Sequence, residues 1–390
     1  PKPQNPLHLI IDIIFYLLFS QMSAVLMDRI VSDNGSGYVK LGYGGDSFPR
    51  AVIPSIIGRP MLRSSQKIGD LELKEIMIGD EAAPLRSFLE IKYPLKEGKI
   101  LNWDDMELLW NYCFTTKLGL GEDKSSKKIL LTEPALNPTK NREKMGEIML
   151  EKFGFGGVAF EYQALLTLMA EGNTTGAVLD SGDGVTHVIP VHEGMIFTEG
   201  IKRLNVAGRH VTEYLIKLLL HRGYSFNSSA DFELVREIKE DLCYVSINIK
   251  KERAMAKDTT VLDKEYKLPD GTTINVGRER FEATEILMNP GLLELEDDGM
   301  ATMVYESICS CPLDIQKGLA SNIWLSGGTT MIPGLSSRLE HEVKETYVAK
   351  KFKGDRAGLN RVKVTVHDPP RRKNAVFMGA SFFAKFAQDS

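Results

Sequence analysis

The chain has 390 residues, 43% of them apolar and 26% charged, an ordinary balance for a globular protein with a large core. A formal net charge of −4 excludes a general nucleic-acid binder, which needs a basic surface. The four cysteines (Cys113, Cys243, Cys309 and Cys311) lack zinc-ligand spacing, so they read as free, mostly buried thiols of a reducing compartment.

In chain order, the first distinctive stretch is apolar: "LHLIIDIIFYLLFS", Leu7–Ser20. It is short for a membrane span, which takes roughly 20 residues, and only Lys2 flanks it as a base. No small-residue cleavage site follows closely, and Met22 opens a strand-forming sequence. Residues 1–21 are therefore expected to be a non-native or disordered extension rather than a signal anchor, with no membrane insertion. Beyond it, strand-like and helix-like segments alternate, which predicts an α/β protein. No long structureless linker separates them, so domains are expected to interleave.

"SDNGSG" at Ser32–Gly37 ends one apolar run and opens another at Tyr38–Leu41. Asn102 is placed to cap a helix with Trp103, Met106, Trp110 and Phe114 on its apolar stripe. In "NPTKNREKMGEIMLEKFG", Asn137 reads as N-cap, Pro138 as the first helical residue and Gly154 as the stop. "DSGDGVTH" at Asp180–His187 then repeats the earlier phrase. "AGRHVTEYLIKLLLHRG" predicts a helix closed by Gly223. "ADFELVREIKEDLCYV" predicts a helix with Val235, Ile238, Leu242 and Val245 inward and Arg236, Lys239 and Glu240 on a polar stripe. "NIWLSGGTTMIPG" reads as strand, glycine turn and a helix opening near Ser336. Asn-x-Ser/Thr sequons start at Asn34, Asn173 and Asn227, and a glycan on the first would obstruct the turn that contains it.

The repeated phrase has a chemical reading. In a glycine hairpin, successive backbone N–H groups can converge on one anion, and a missing Cβ allows close approach. Ser36 and Ser181 add hydroxyls, and Lys40 adds a cation. Asp33, Asp180 and Asp183 oppose a bare anion site, since a carboxylate about 5 Å from a phosphate charge is repelled by roughly 3 kcal/mol at an effective dielectric of about 20. A hydrated Mg²⁺ between them reverses that sign. A single Asp–Gly hairpin is an ordinary turn; two copies read as a magnesium–nucleotide clamp. The Walker phosphate loop is absent, because Ile100 follows Gly98–Lys99, and the dinucleotide fingerprint fails at Lys40.

"DNGSGYVKLGYGGDSFPRAVIPSIIGRP", "NWDDME", "LLTEPALNPTKNREKM", "DSGDGVTHVIPVHEG", "LVREIKEDLCYV" and "LSGGTTMIPGL" closely resemble the actin family, in actin's order, from about Met22 onward. "ADFELVREIKEDLCYV", "LPDGTTINVGRERFEA" and "DPPRRK" (Asp368–Lys373) are more similar to an actin-related branch than to conventional actin. The resemblance implies an actin-like two-domain ATPase fold, with duplicated ribonuclease-H-like halves and four subdomains around a nucleotide cleft. It implies subdomain 1 at 22–54, 94–170 and 375–390, subdomain 2 at 55–93, subdomain 3 at 171–206 and 296–374, and subdomain 4 at 207–295.

By the same resemblance, Asp33, Gly35, Ser36, Gly37 and Lys40 form a first phosphate loop, and Asp180, Gly182, Asp183, Gly184 and Val185 a second. Gly208, Arg236, Lys239 and Glu240 form one wall of an ATP site, and Gly327, Gly328, Thr329, Met331 and Lys373 the other. Asp33 and Asp180 hold Mg²⁺ through water, while Gln163 and His187 arrange an attacking water. The function implied is that of an ATP-binding subunit in the complex that nucleates branched actin filaments by mimicking a filament-end actin. ATP then acts as a conformational switch, with slow hydrolysis at most. Expected partners are actin, other subunits including a second actin-related protein, and acidic nucleation-promoting factors, in the cytoplasmic cytoskeleton. The competing classes are a conventional filament-forming actin and a small-molecule kinase of the same superfamily, for which no acceptor motif is found.

The chain departs from conventional actin at several places. Ile332 replaces an aromatic beside the adenine, and Glu97 stands where actin has histidine. The loop between Pro60 and Gly79 is two residues longer and more charged, and the family pattern continues beyond "FFAKFAQDS". Lys350–Lys373 carries nine basic and two acidic residues. It reads either as a solvated loop or as a docking surface for an acidic partner.

Overall fold

A computed structural model describes residues 28–61, 67–68, 71–72 and 74–386. The expectation placed on residues 1–21 lies outside them, as does much of the lengthened loop after Pro60.

Two sheets carry the architecture, and each is built around one of the repeated phrases. In the first, Arg29–Asn34 forms an antiparallel hairpin with Tyr38–Tyr43, which pairs in turn with Ala51–Pro54. On its other side Arg29–Asn34 runs parallel to Lys128–Glu133, which runs parallel to Gly157–Tyr162. In the second sheet, Gly176–Ser181 forms a hairpin with Thr186–His192, which pairs antiparallel with Lys202–Leu204. Gly176–Ser181 runs parallel to Ile323–Ser326, and that strand to Val366–His367. Strand order and direction match in the two halves. The inner strands are buried almost throughout, as expected where both faces of a sheet are covered.

Between the sheets lie two helices, Gln163–Ala170 and Ala375–Phe386. Leu166, Phe377 and Ala380 pack with Val31 of the first sheet, while Ala164 and Leu168 pack with Val178 and Ile189 of the second. The first helix opens at Gln163 and the second two residues after Lys373, so each starts at or beside a residue of the expected site. Smaller units sit outside the sheets: the strands Ile57–Pro60, Met77–Ile78 and Leu89–Lys92 on one side, and the hairpin Lys264–Lys267 with Thr273–Val276 on the other.

Most predicted helices form where expected. Asn102 caps Trp103–Asn111, its side chain accepting from the Asp105 amide at 3.2 Å. Trp110 and Phe114 meet Phe153 edge-on in the first core. Gly208–His221 ends before Gly223, which has φ +99°. Three details differ. Thr139–Glu147 starts one residue late, with Pro138 rather than Asn137 at the cap position and no side-chain cap, while Asn137 Nδ2 donates to Glu133. Helix Ser229–Leu242 stops before Val245, which is buried in the coil beyond. Lys239 is buried rather than part of an open polar stripe.

The basic stretch after Lys350 is not a bare solvated loop. Val362 and Val364 are buried, and Phe352 and Leu359 pack on the second core. Lys350 pairs with Glu306 (3.0 Å) and Arg356 with Glu345 (2.8 Å), while Lys351 donates to Gln316 (3.0 Å). Among the described residues, no helix is long and apolar enough to cross a membrane.

The contact between the two central helices is close. A Cβ added at Gly379 would lie 1.8 Å from the Leu166 carbonyl oxygen. Gly379→Ala should therefore destabilise the protein by about 2 kcal/mol or more, as overpacking does. Gly318→Ala, at a helical site with nothing within 4 Å, should be neutral or mildly stabilising. Urea unfolding of both variants checks this; equal midpoints would contradict it.

Candidate functional site

The two hairpin turns meet. A side chain on Gly37 would collide with Asp183 Cβ at 2.9 Å, and one on Gly184 would approach Ser36 Oγ at 3.2 Å. Glycine at 37 is thus what lets the turns approach so closely. The turn at Glu97–Gly98 joins them: the Gly98 amide donates to Ser36 Oγ (3.1 Å), and Arg203 beside the second hairpin donates to the Glu97 carbonyl (2.8 Å).

A cleft of about 370 Å³ opens between the hairpins. Asp33, Gly35, Ser36, Gly37 and Lys40 line it from one side, and Asp180, Gly182, Asp183, Gly184 and Val185 from the other. Gly208, Arg236, Lys239 and Glu240 form one wall; Gly327, Gly328, Thr329, Met331 and Lys373 form another, and Gln163 reaches the floor. Ile332 also lines it. His187 is not among the lining residues: it lies opposite Asp180 in the hairpin register and is buried.

Sequence reasoning missed Asn34, Tyr38, Gly98, Pro134, Cys243, Pro333 and Val376, all of which line the cleft. Asn34 and Tyr38 sit within or beside the first phrase, and that adjacency was the available signal. Cys243 and Pro333 sit beside motif residues that gave no chemical reason to single them out.

Asp33 is held at both oxygens. Thr132 Oγ1 donates to Oδ1 (2.6 Å), with Gln163 Nε2 at 3.4 Å, and Lys40 Nζ pairs with Oδ2 (3.3 Å). Lys40 also donates to the Lys373 carbonyl (2.7 Å), joining the hairpin to the far wall. Burial raises the Asp180 carboxyl above its ordinary range; a Ser326 hydrogen bond opposes this, and the negative charge of Asp33 adds to it. A nearby cation would favour ionised Asp180. Asp183 receives two Arg209 donors on Oδ2 (3.0 and 2.7 Å), and Arg209 lies over the Tyr93 ring at 3.8 Å.

Lys239 is 8% exposed. Its ammonium donates to the Gly208 carbonyl and to Thr212 Oγ1, each at 3.1 Å, and it forms no ion pair among the described residues. Burial pushes it below the ordinary lysine range, against the pull of Asp183 and Glu240. A buried cation facing a cleft without its own carboxylate partner suits an anionic occupant. Among the described residues, the amides of Ser36, Gly37, Asp183 and Gly184 have no acceptor within the protein. Gly182 and Gly328 face open space. Free donors, a lone buried cation and two facing aspartates fit a phosphate chain with a divalent cation.

A sequence model of the actin family matches residues 26–388, and the chain belongs to that family. Its mixed α/β architecture is the actin-family fold. Within the family it is similar to the actin-related proteins. It is 50% identical over 365 residues to Actin-related protein 2 of Drosophila melanogaster, covering 92% of this chain and 91% of that one. Over 361 residues it is 49% identical to Actin-related protein 2 of Arabidopsis thaliana, with 93% and 92% covered. The corresponding protein of Acanthamoeba castellanii is 50% identical over 360 residues, with 92% of each covered.

Behind the cleft, His187 is pushed down to about 4, first by burial and second by the Arg203 charge, and its Nε2 has no partner among the described residues. The unfolded chain takes up this proton near pH 6.5, whereas the folded protein resists until about pH 4. The unfolded state therefore binds more protons in that window, and stability must rise with pH across it. The His187 contribution should be fully present above pH 6.5 and be reduced by of order 3 kcal/mol at pH 4. The difference between wild type and His187→Gln in urea unfolding from pH 7 to 4 measures it. Parallel pH profiles would contradict the assignment.

Proposed function

We propose that this protein is an ATP-binding, actin-related subunit of a multiprotein complex that nucleates branched actin filaments. The complex is the actin-related protein 2/3 complex, in the cytoplasmic cytoskeleton. The observation that carries the nucleotide reading is the cleft itself, where two glycine hairpins with free amides face each other beside a buried, unpaired Lys239. The assembly reading rests on the likeness to relatives called Actin-related protein 2.

In this reading the amides of Ser36, Gly37, Asp183 and Gly184 donate to phosphate oxygens, and Lys40 and Lys239 balance their charge. Asp33 and Asp180 accept from the water shell of a magnesium ion, which supplies charge neutralisation when bound. Asp183 has one oxygen not engaged by Arg209, which would be left to accept from a ribose hydroxyl. Gln163 orients a water, and His187, kept neutral by burial, supports it from behind the hairpin. Hydrolysis is slow, and the bound nucleotide biases how closely the two halves approach. Actin, a second actin-related protein and acidic nucleation-promoting factors meet the outer surface. Four subdomains with the boundaries given above follow from the same proposal. The small sheet at Ile57–Lys92 and the hairpin at Lys264–Val276 support it as outer units.

Asp33→Ala and Asp180→Ala should each weaken MgATP binding at least tenfold, about 1.4 kcal/mol, in a fluorescent-nucleotide displacement assay. Both variants should keep the wild-type far-UV circular dichroism spectrum. Unchanged affinity in both would overturn the clamp.

A further inference from the structure

Charged side chains of alternating sign lead from the wall of the cleft, at Arg236, to a contact outside it, at Arg86. Arg86, on the turn Ala83–Phe88 between two strands of the small sheet, pairs with Glu233 on helix Ser229–Leu242. Ser229 Oγ donates to the Arg86 carbonyl at 3.1 Å, a second link between the same two lips. Glu233 also pairs with Arg236 one turn along, and Arg236 lies 3.7 Å from Glu240. Arg236 then reaches out of its own half and donates to the phenolic oxygen of Tyr38, its guanidinium carbon 5.3 Å from the ring centre. Tyr38 opens the second strand of the first hairpin, and both it and Arg236 line the cleft. The contact thus joins the two halves directly above the site.

We propose that Tyr38 is a positioning residue that holds Arg236 across the cleft, making Arg86–Glu233–Arg236–Tyr38 a strap that sets how fast a bound nucleotide leaves. The proposal rests on the nucleotide reading above. A ligand between the hairpins is enclosed by both halves, and separating the lips breaks the Arg86–Glu233 pair and the Arg236–Tyr38 bond. The two contacts share one helix turn and are joined through Glu233–Arg236, so each supports the other. Arg236 is a shared link: its Nη2 meets Glu233, and its Nη1, 3.7 Å from Glu240, donates to the phenol. A phenylalanine at 38 would keep the ring and the cation–π contact but lose the acceptor.

The test loads the full chain with a fluorescent etheno-ATP and chases it with excess MgATP in a stopped-flow instrument. Tyr38→Phe should release the probe roughly tenfold faster, as expected on losing a charge-assisted hydrogen bond. Glu233→Gln should also speed release. The double variant should fall clearly short of the product of the two single effects, because both act through Arg236. A merely structural role for Tyr38 predicts no such coupling. If the wild type loads and both single variants release at its rate, or if the two effects multiply fully, the strap is overturned. If the wild type takes up no probe, the nucleotide reading itself falls and the strap with it. Should Tyr38→Phe not fold, Glu233→Gln decides: faster release supports the strap, and an unchanged rate overturns it.

Discussion

The close approach of Gly37 to Asp183 is the constraint on which the rest of the structure depends. Two hairpins from separate sheets abut with backbone facing side chain, and no larger residue fits at 37. Each hairpin is fixed from behind by its own sheet, through parallel strands that are buried on both faces. The helices Gln163–Ala170 and Ala375–Phe386 then tie the sheets to each other where Gly379 lets them touch. The cleft is the space left between two rigid supports, and its shape follows from how those supports are joined.

Its electrostatics follow from the same placement. Asp33 is paired with Lys40 and accepts a hydrogen bond from Thr132, whereas the Asp180 carboxyl is raised by burial and by the neighbouring charge of Asp33. Lys239 stands on the opposite account, a cation with only neutral acceptors. An occupant with both signs of charge would relieve both groups, which is why a magnesium-bound polyphosphate suits the site better than either ion alone. On the proposed reading, occupancy would alter how strongly the halves attract one another, and such coupling would be the physical basis for a switch.

Much of this was legible in the sequence because it depends on local chemistry. Each Asp–Gly phrase predicts a hairpin, and both hairpins form where the phrases fall. Asn102 caps a helix, and Gly223 lies just past the end of another. What stayed hidden depends on distant partners. Asn137 has the chemistry of a cap but gives its amide to Glu133. Lys239 lies on a helix face that reads as polar, yet neighbouring elements bury it. Tyr38 meets Arg236 only because the two halves face each other. The matching strand orders of the two sheets involve pairings that no single motif encodes.

The basic stretch after Lys350 shows how far charge patterning alone can be read. Two of its cations, Lys350 and Arg356, are paired with acids of the same chain, while Lys351, Lys353, Arg361, Lys363, Arg371 and Lys373 are exposed and without an ion pair among the described residues. Any acidic partner would meet that reduced set. The central claim, that two hairpins act as one clamp, is tested most directly by hydrogen–deuterium exchange of the full chain with and without MgATP. Peptides spanning 29–43 and 176–192 report the two turns separately. Exchange should slow in both turns together, at Ser36–Gly37 and at Asp183–Gly184. Protection of one turn alone, or of neither, would contradict it.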